Sequence, residues 1–332
     1  MTSPHQKVSA EHPAPSSGAE HRWTRGPAKA GGRQGKSPVL TIEVMVGIPA
    51  ESRVFAPHPL IIRGVRQRAE VEMRERPEVG EIRVVVRHRP PAGFHPEAER
   101  RRPASTTLHR RGTILVYPYR ESAVEALARQ TTIVAVLEDY GPLGIDFIDT
   151  NDTAGITALV GQLHAAGHVQ VGFLSWNYPI AGHWVDRRYR AFAAAMQARG
   201  MRFRPEWVLN VLEGQPRLTP PEVDATAAEL VRSAGVTAWV CAADHQAYHL
   251  LASLAAEGLR APRDCSVTGF DGVPPPPGLP PVASMRVPHE HIGSSALTRM
   301  LNRILYPSSP QRKIFVEPQL VPGETIAAPP LA

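Results

Sequence analysis

From Val39 onward, apolar and polar positions switch between a period of two and a period near 3.6. Leu40, Ile42, Val44, Val46 and Ile48 fall on alternate residues, which predicts a strand. A loop with Ser52, Arg53 and Phe55 follows, then a helix near residues 60–72. Apolar runs at 83–88 (RVVVRH) and 112–117 (GTILVY) predict second and third strands, and a helix over 122–129 leads to a fourth at 132–137. Strand and helix alternate, which implies a parallel sheet with right-handed crossovers. Between the second and third strands, four prolines and an arginine run in 89–111 weaken any helical pattern, leaving a short helix near 97–102 as the expectation.

The second half repeats this grammar without repeating its sequence. Ile156, Leu159, Val160 and Leu163 sit at i, i+3, i+4 and i+7, and Gly167 closes the helix they define. Val169, Val171, Phe173 and Leu174 form a short apolar run suited to a strand covered on both faces. In the next helix Asp186 is placed as the cap and Arg188 in the first turn, near the strand's C-terminal end. Ligands bind at that end of an open parallel sheet. Thr219-Pro220-Pro221-Glu222 has the residues of a capping box with proline at the first helical position. A strand at 237–243, a helix capped by Asp244, a strand at 265–270 ending on Asp271, a proline-rich loop at 274–281, a helix near 290–305 and a last strand at 313–316 complete the pattern.

Residues 1–38 are rich in Ser, Pro, Gly, Ala and charge, and predict a disordered tail because they bury too little to offset ordering. The 332 residues are 42% hydrophobic, with no apolar run near the roughly 18 residues that span a membrane. No apolar core of a secretory signal is visible at the start, and Cys241 and Cys265 lie in predicted buried strands, so reduced thiols in a cytoplasmic protein are expected. The net charge of +6 collects in the first third, around Arg100, Arg101, Arg102, Arg110 and Arg111. That run suits nucleic acid, but a solvated loop is the better reading because no aromatic residue interleaves it.

Several blocks resemble the lactose-repressor/galactose-repressor (LacI/GalR) family. They are the Gly-His strand at Gly167-His168, Asn151-Asp152-Thr153-Ala154-Gly155 at a helix start, and Ala243-Asp244 in place of Asn-Asp. Val267-Thr268-Gly269-Phe270-Asp271-Gly272 follows, then Ser284 to Pro288 with Gly293, and Leu320-Val321 near the end. The second Asp of the Gly-Phe-Asp-Asp block and the Arg of the closing block are replaced. The resemblance implies an α/β protein with two doubly wound parallel-sheet lobes joined by a hinge, the periplasmic-binding-protein-like type I fold. Its lobes would be residues 39–149 with a return segment at 288–310, and residues 150–287 with a final strand within 311–325, leaving a tail at 326–332. Members normally begin with a helix-turn-helix and a hinge helix, and residues 1–38 show neither pattern. DNA binding by this polypeptide is thus implied by kinship alone.

Arg188 matches the family's effector-binding Arg, three residues before Ala191-Phe192 in place of Gly-Phe, and its planar fork suits vicinal hydroxyls or a carboxylate. Asp271 should accept from ligand hydroxyls, and Asp244 either lines the cleft or caps its helix. Trp176 and Tyr178 follow the central strand and suit stacking on a sugar ring or packing at the rim. By topology Ser52, Arg53, Phe55, Tyr117 and Tyr119 belong to the opposite rim. Arg187 and Arg190 are expected to be exposed. His245 and His249 lack a third ligand, His289-Glu290-His291 lacks HExxH spacing, and no GxSxG, P-loop or GxGxxG occurs. The expectation is a cytoplasmic, homodimeric ligand sensor of a transcriptional regulator, with no cofactor, metal, membrane or catalysis, and a sugar or small polar metabolite as effector. A solute-binding protein of a transport system and a truncated regulator without its reader remain the alternatives.

Overall fold

Two parallel sheets carry the fold. The computed structural model describes residues 39–48, 56–89, 110–178 and 183–330. The expected tail at 1–38, the rim residues Ser52, Arg53 and Phe55, and the short helix at 97–102 lie outside the described residues. The first sheet contains β1 (Val39–Val46), β2 (Glu81–His88), β3 (Arg110–Val116), β4 (Thr132–Val136), β5 (Asp146–Thr150) and β11 (Lys313–Val316). Their order is β11-β5-β4-β3-β1-β2, all parallel. The second sheet is β7-β6-β8-β9, from β6 (Val171–Leu174), β7 (Val208–Leu209), β8 (Ala238–Cys241) and β9 (Ser266–Thr268). An antiparallel ribbon of β10 (Ser284–Arg286) and β12 (Gln319–Val321) runs beside β9. Both sheets belong to one compact unit, Ser37–Ala332.

Helices α1 (His58–Glu75) and α7 (His289–Leu305) cover the first sheet, and α2 (Glu121–Ala128) buries Val124 in a cluster with Met45, Leu115, Ile133 and Ala135. Gly64 and Gly293 let α1 and α7 touch backbone to backbone: a Cβ on either would lie about 2 Å from a carbonyl oxygen of the other helix, 1.9 Å from Glu290 and 2.0 Å from Ile61. Around the second sheet, α3 (Asp152–Ala165) packs on α4 (His183–Ala198), and α5 (Pro220–Ser233) on α6 (Asp244–Ala256). Thr219 and Glu222 form the expected capping box at α5. The strand β5 was not foreseen, because its sequence DFIDT puts two acids in five residues.

The chain crosses between sheets after β5, after β10 and after β11. Residues 313–316 pair with β5, so the last long strand belongs to the first sheet and not to the second lobe as expected. Only the segment beyond it returns to the second sheet, where Thr325 bonds Val267. His168, 1% exposed, ties the start of β6 to this return segment. Its ring nitrogens contact the hydroxyls of Thr237 and Ser266, each at 2.9 Å, and the carbonyl of Ala327. Cys241 and Cys265 are buried free thiols, each pushed up by burial, Cys265 to about 12.

Candidate functional site

Parallel strands deliver their C-terminal ends to one side, where turns can converge. Among the described residues four of these turns hold a non-glycine residue in left-handed backbone: Tyr117 (φ 73°) after β3, Leu137 (φ 70°) after β4, Asn210 (φ 62°) after β7 and Asp271 (φ 125°) after β9. Each such residue costs on the order of 1–3 kcal/mol and persists only where its surroundings over-determine it. At Asp271 those surroundings are backbone bonds to Met285 at 2.8 Å and from Val287 at 3.2 Å, which sew the turn to the crossing segment.

Arg188 and Asp271 meet at the centre. The helix α4 begins at His183, so Arg188 lies in its second turn rather than its first. Its guanidinium donates to Asp152 (Nε, 2.9 Å), to the carbonyl of Ala242 (2.6 Å) and, from both terminal nitrogens at 3.5 Å, to one oxygen of Asp271. The rings of Phe270 and Trp184 face it, with centroids 3.8 and 4.7 Å from the guanidinium carbon. Two rings and a helix-end carboxylate therefore fix the plane of the fork. Asp271 keeps 27% of its side chain exposed, while Arg188 keeps 7%. Burial pushes the Asp271 carboxyl up to about 7, against the pull of Arg188.

A wall of aromatic and imidazole groups stands beside this pair. Trp176 and Tyr178 are half-buried after β6. Trp176 is met edge-on by His245 and His249, at 5.0 and 5.3 Å between centroids. The Tyr178 hydroxyl contacts His245 Nε2 at 2.5 Å and accepts from the fully buried Gln246 amide at 2.9 Å. Burial, then Arg188, lowers His245 to about 4, so the ring is neutral near pH 7. His289, at the start of α7, is lowered to about 4 by the same two causes in the same order. Gln246 and Trp184 were not singled out from sequence, and His245 and His289 were weighed there only as metal ligands. Gln246 alone carried a signal: an amide among apolar positions of its helix.

Residues of the first sheet close the other side. Tyr117 stands T-shaped to His58, with ring centroids 6.4 Å apart. Burial raises its phenol, a backbone contact with His58 opposes this, and the Asp271 carboxylate adds to the rise. Glu138 approaches His183 Nδ1 at 3.5 Å. Asp149, buried on β5, pairs with Arg187, which also reaches Asp152 at 3.0 Å. Burial, moderated by Arg187, raises Asp149 to about 7.

Several sequence expectations need correction here. Asp244 is fully buried, with one oxygen accepting from Ser284 Oγ at 2.6 Å and the other from the Val273 amide at 2.7 Å, so it braces the turn that carries Asp271 and offers no ligand contact. It is not the N-cap either; Ala243 is. Asp186 lies inside the first turn of α4 and pairs with Arg190 rather than capping the helix. Arg187 is half-buried between two carboxylates, not exposed. Tyr119 is buried beneath the rim, bonded through its backbone to the Tyr140 hydroxyl. Val169 is 50% exposed and precedes its strand. Among the described residues no group of three His, Cys, Asp or Glu could hold a metal ion.

Residues 160–326 match the family of periplasmic binding protein-like domains. The chain belongs to that family. Of curated relatives, the HTH-type transcriptional repressor PurR of Pasteurella multocida (strain Pm70) is 25% identical over 213 residues, 63% of this chain and 61% of the relative. The chain thus spans about three fifths of that relative's length. A LacI family transcriptional regulator from Enterococcus faecium, with bound ribose, has a TM-score of 0.64 at 18% identity, covering 87% of this chain and 99% of that one. The lac repressor dimer bound to operator and the anti-inducer ONPF gives 0.64 at 18%, covering 89% and 96%. These likenesses bear out the expected α/β fold and the LacI/GalR resemblance, and the matched region of this periplasmic binding protein-like domain contains Arg188, Asp271 and the whole aromatic wall.

Proposed function

We propose that this periplasmic binding protein-like domain is the effector sensor of a LacI/GalR-type transcriptional regulator and binds a sugar or similar polyhydroxylated metabolite between its two sheets. The observation that carries the reading is the pairing of Arg188 and Asp271 at 3.5 Å, a long contact held open at the strand tips. Vicinal hydroxyls suit that gap: their oxygens accept from the rigid fork and their protons go to the carboxylate. Trp176 and Tyr178 supply an apolar face for the ring and Tyr117 closes the site from the first sheet. The moving bodies are the sheet of β1–β5 with α7 and the sheet of β6–β9, and effector contacts made only in the closed form shift their equilibrium. Contacts across the gap, the ion pair of Arg187 with Asp149 and the approach of His183 to Glu138, follow that motion.

The resemblance and the helix-turn-helix name of the PurR relative support control of DNA, with a reader domain as the DNA contact. The dimeric lac repressor supports a homodimer. Kinship with regulators supports a non-enzymatic, cytoplasmic role, and among the described residues no helix is long and apolar enough to cross a membrane. Calorimetric titration of the full chain against a panel of mono- and disaccharides tests the reading. Saturable binding to one of them, weakened by Arg188→Lys and Asp271→Asn, supports it. Silence across the panel, or binding that ignores both variants, rejects it.

A further inference from the structure

Between α7 and β11 of the first sheet lies a cavity of about 230 Å³. Its lining is Ser294, Ser295, Thr298, Arg299, Asn302 and Arg312 with Ile314. Arg299 is 3% exposed and sits 3.0 Å from Asp146 Oδ2, yet neither atom is aligned for a hydrogen bond. Its other nitrogens reach Asn302 Oδ1 at 2.7 Å and the Pro310 carbonyl at 2.6 Å. Because Asn302 spends its oxygen on Arg299, its amide nitrogen is left to the cavity. Arg303 shares the same carboxylate oxygen of Asp146 at 3.2 Å. Arg312 bonds Asp146 through its backbone, at 2.5 Å, and its side chain is exposed. Two guanidiniums, of Arg299 and Arg303, therefore share one carboxylate, the exposed side chain of Arg312 adds a third cation to the lining, and Ser294, Ser295 and Asn302 add polar groups.

We infer that this cavity is a second ligand site, separate from the effector gap, that takes a small oxyanion such as the phosphate group of a phosphorylated metabolite. An excess of cations with hydroxyl and amide donors is complementary to a group that only accepts. The space exceeds that of a bare phosphate, so room remains for the carbon skeleton beside Ile314. Occupancy would brace α7, which packs on α1 and enters directly from the β10 crossing, and so would couple to the movement of the first sheet.

Inorganic phosphate is the probe, titrated into the full chain at constant ionic strength with chloride as reference and acetate as a carboxylate arm. Expected are a saturable rise in the unfolding midpoint and amide shifts confined to residues 294–302 and 312–314. Arg312→Gln, on an exposed side chain, should fold normally and weaken phosphate at least fivefold while leaving any sugar response intact. A phosphate effect equal to chloride, or unchanged in Arg312→Gln, or mapping elsewhere, overturns the inference. Acetate matching phosphate would overturn the choice of phosphate. None of these outcomes depends on whether the effector gap binds a sugar.

Discussion

Arg188 shows how one side chain can serve structure and recognition together. Replacing it with Ala leaves Asp271 without its cation and Asp152 with Arg187 alone, and breaking such a buried pair costs about 3–5 kcal/mol. Arg188→Lys keeps the charge but loses the fork and the stacking between Phe270 and Trp184, so the expected result is a folded protein whose effector affinity falls roughly 10- to 100-fold, as for about 1.5–3 kcal/mol per charged hydrogen bond lost. Titration calorimetry on the variant checks it.

Asp271 makes a prediction about pH. Its folded value, about 7, stands above the ordinary carboxylate value of 3.8. The folded state therefore holds the proton more tightly, and this contribution to stability is full below 3.8 and lost as pH rises through about 7. Asp271→Asn should make the decline in stability between those limits shallower, measured by chemical denaturation across pH; Asp149, also near 7, and the other carboxyls raised by burial, Glu138, Asp224 and Asp244, contribute the slope that remains. Ligand hydroxyls need the ionised acceptor, so effector affinity of the parent chain should rise from pH 6 to 8 and that rise should vanish in the variant. His245 and His289 act with the opposite sign. Their folded values near 4 lie below the ordinary 6.5, so their contribution is present above 6.5 and lost as pH falls through 4.

At the scale of elements, α1 and α7 are joined by glycines rather than by side chains. Gly64→Ala or Gly293→Ala must push two backbones apart, and overpacking of this kind costs about 1–3 kcal/mol. A lowered unfolding midpoint in each single variant, with less than additive loss in the double, is the expected pattern. Losses that add fully would mean the two glycines do not share one contact. The capping box on α5 is a milder case: Thr219→Ala should cost about 1 kcal/mol and leave effector binding untouched.

Helices and covered strands were legible because periodicity reports which faces are buried, and α3, α5 and β8 fall where the pattern puts them. The strand β5 was not legible. Its Asp146 and Asp149 are satisfied by Arg299 and Arg303 on α7 and by Arg187 on α4, partners far away in sequence. Asp244 misled for the same reason. A lone acid at a helix start has a local explanation, whereas the structure gives it Ser284 and Val273.

For the whole molecule, an effector that binds the closed form at a hundred times its dissociation constant should stabilise the chain by about 2.7 kcal/mol. Small-angle scattering should contract on the same addition, and a stabilising sugar that leaves the scattering curve unchanged would argue against closure.

The order of strands and helices, the doubly wound class and the identity of Arg188 and Asp271 as neighbours of strand ends were contained in the sequence by itself, because hydrophobic period and turn residues act over a few positions. Only tertiary structure decided that those two side chains face one another at 3.5 Å, that β11 returns to the first sheet, and that His245, Gln246 and His289 join the site. The physical reason is range: burial and ion pairing are satisfied by whatever the fold brings near, and no local pattern records which distant residue that will be.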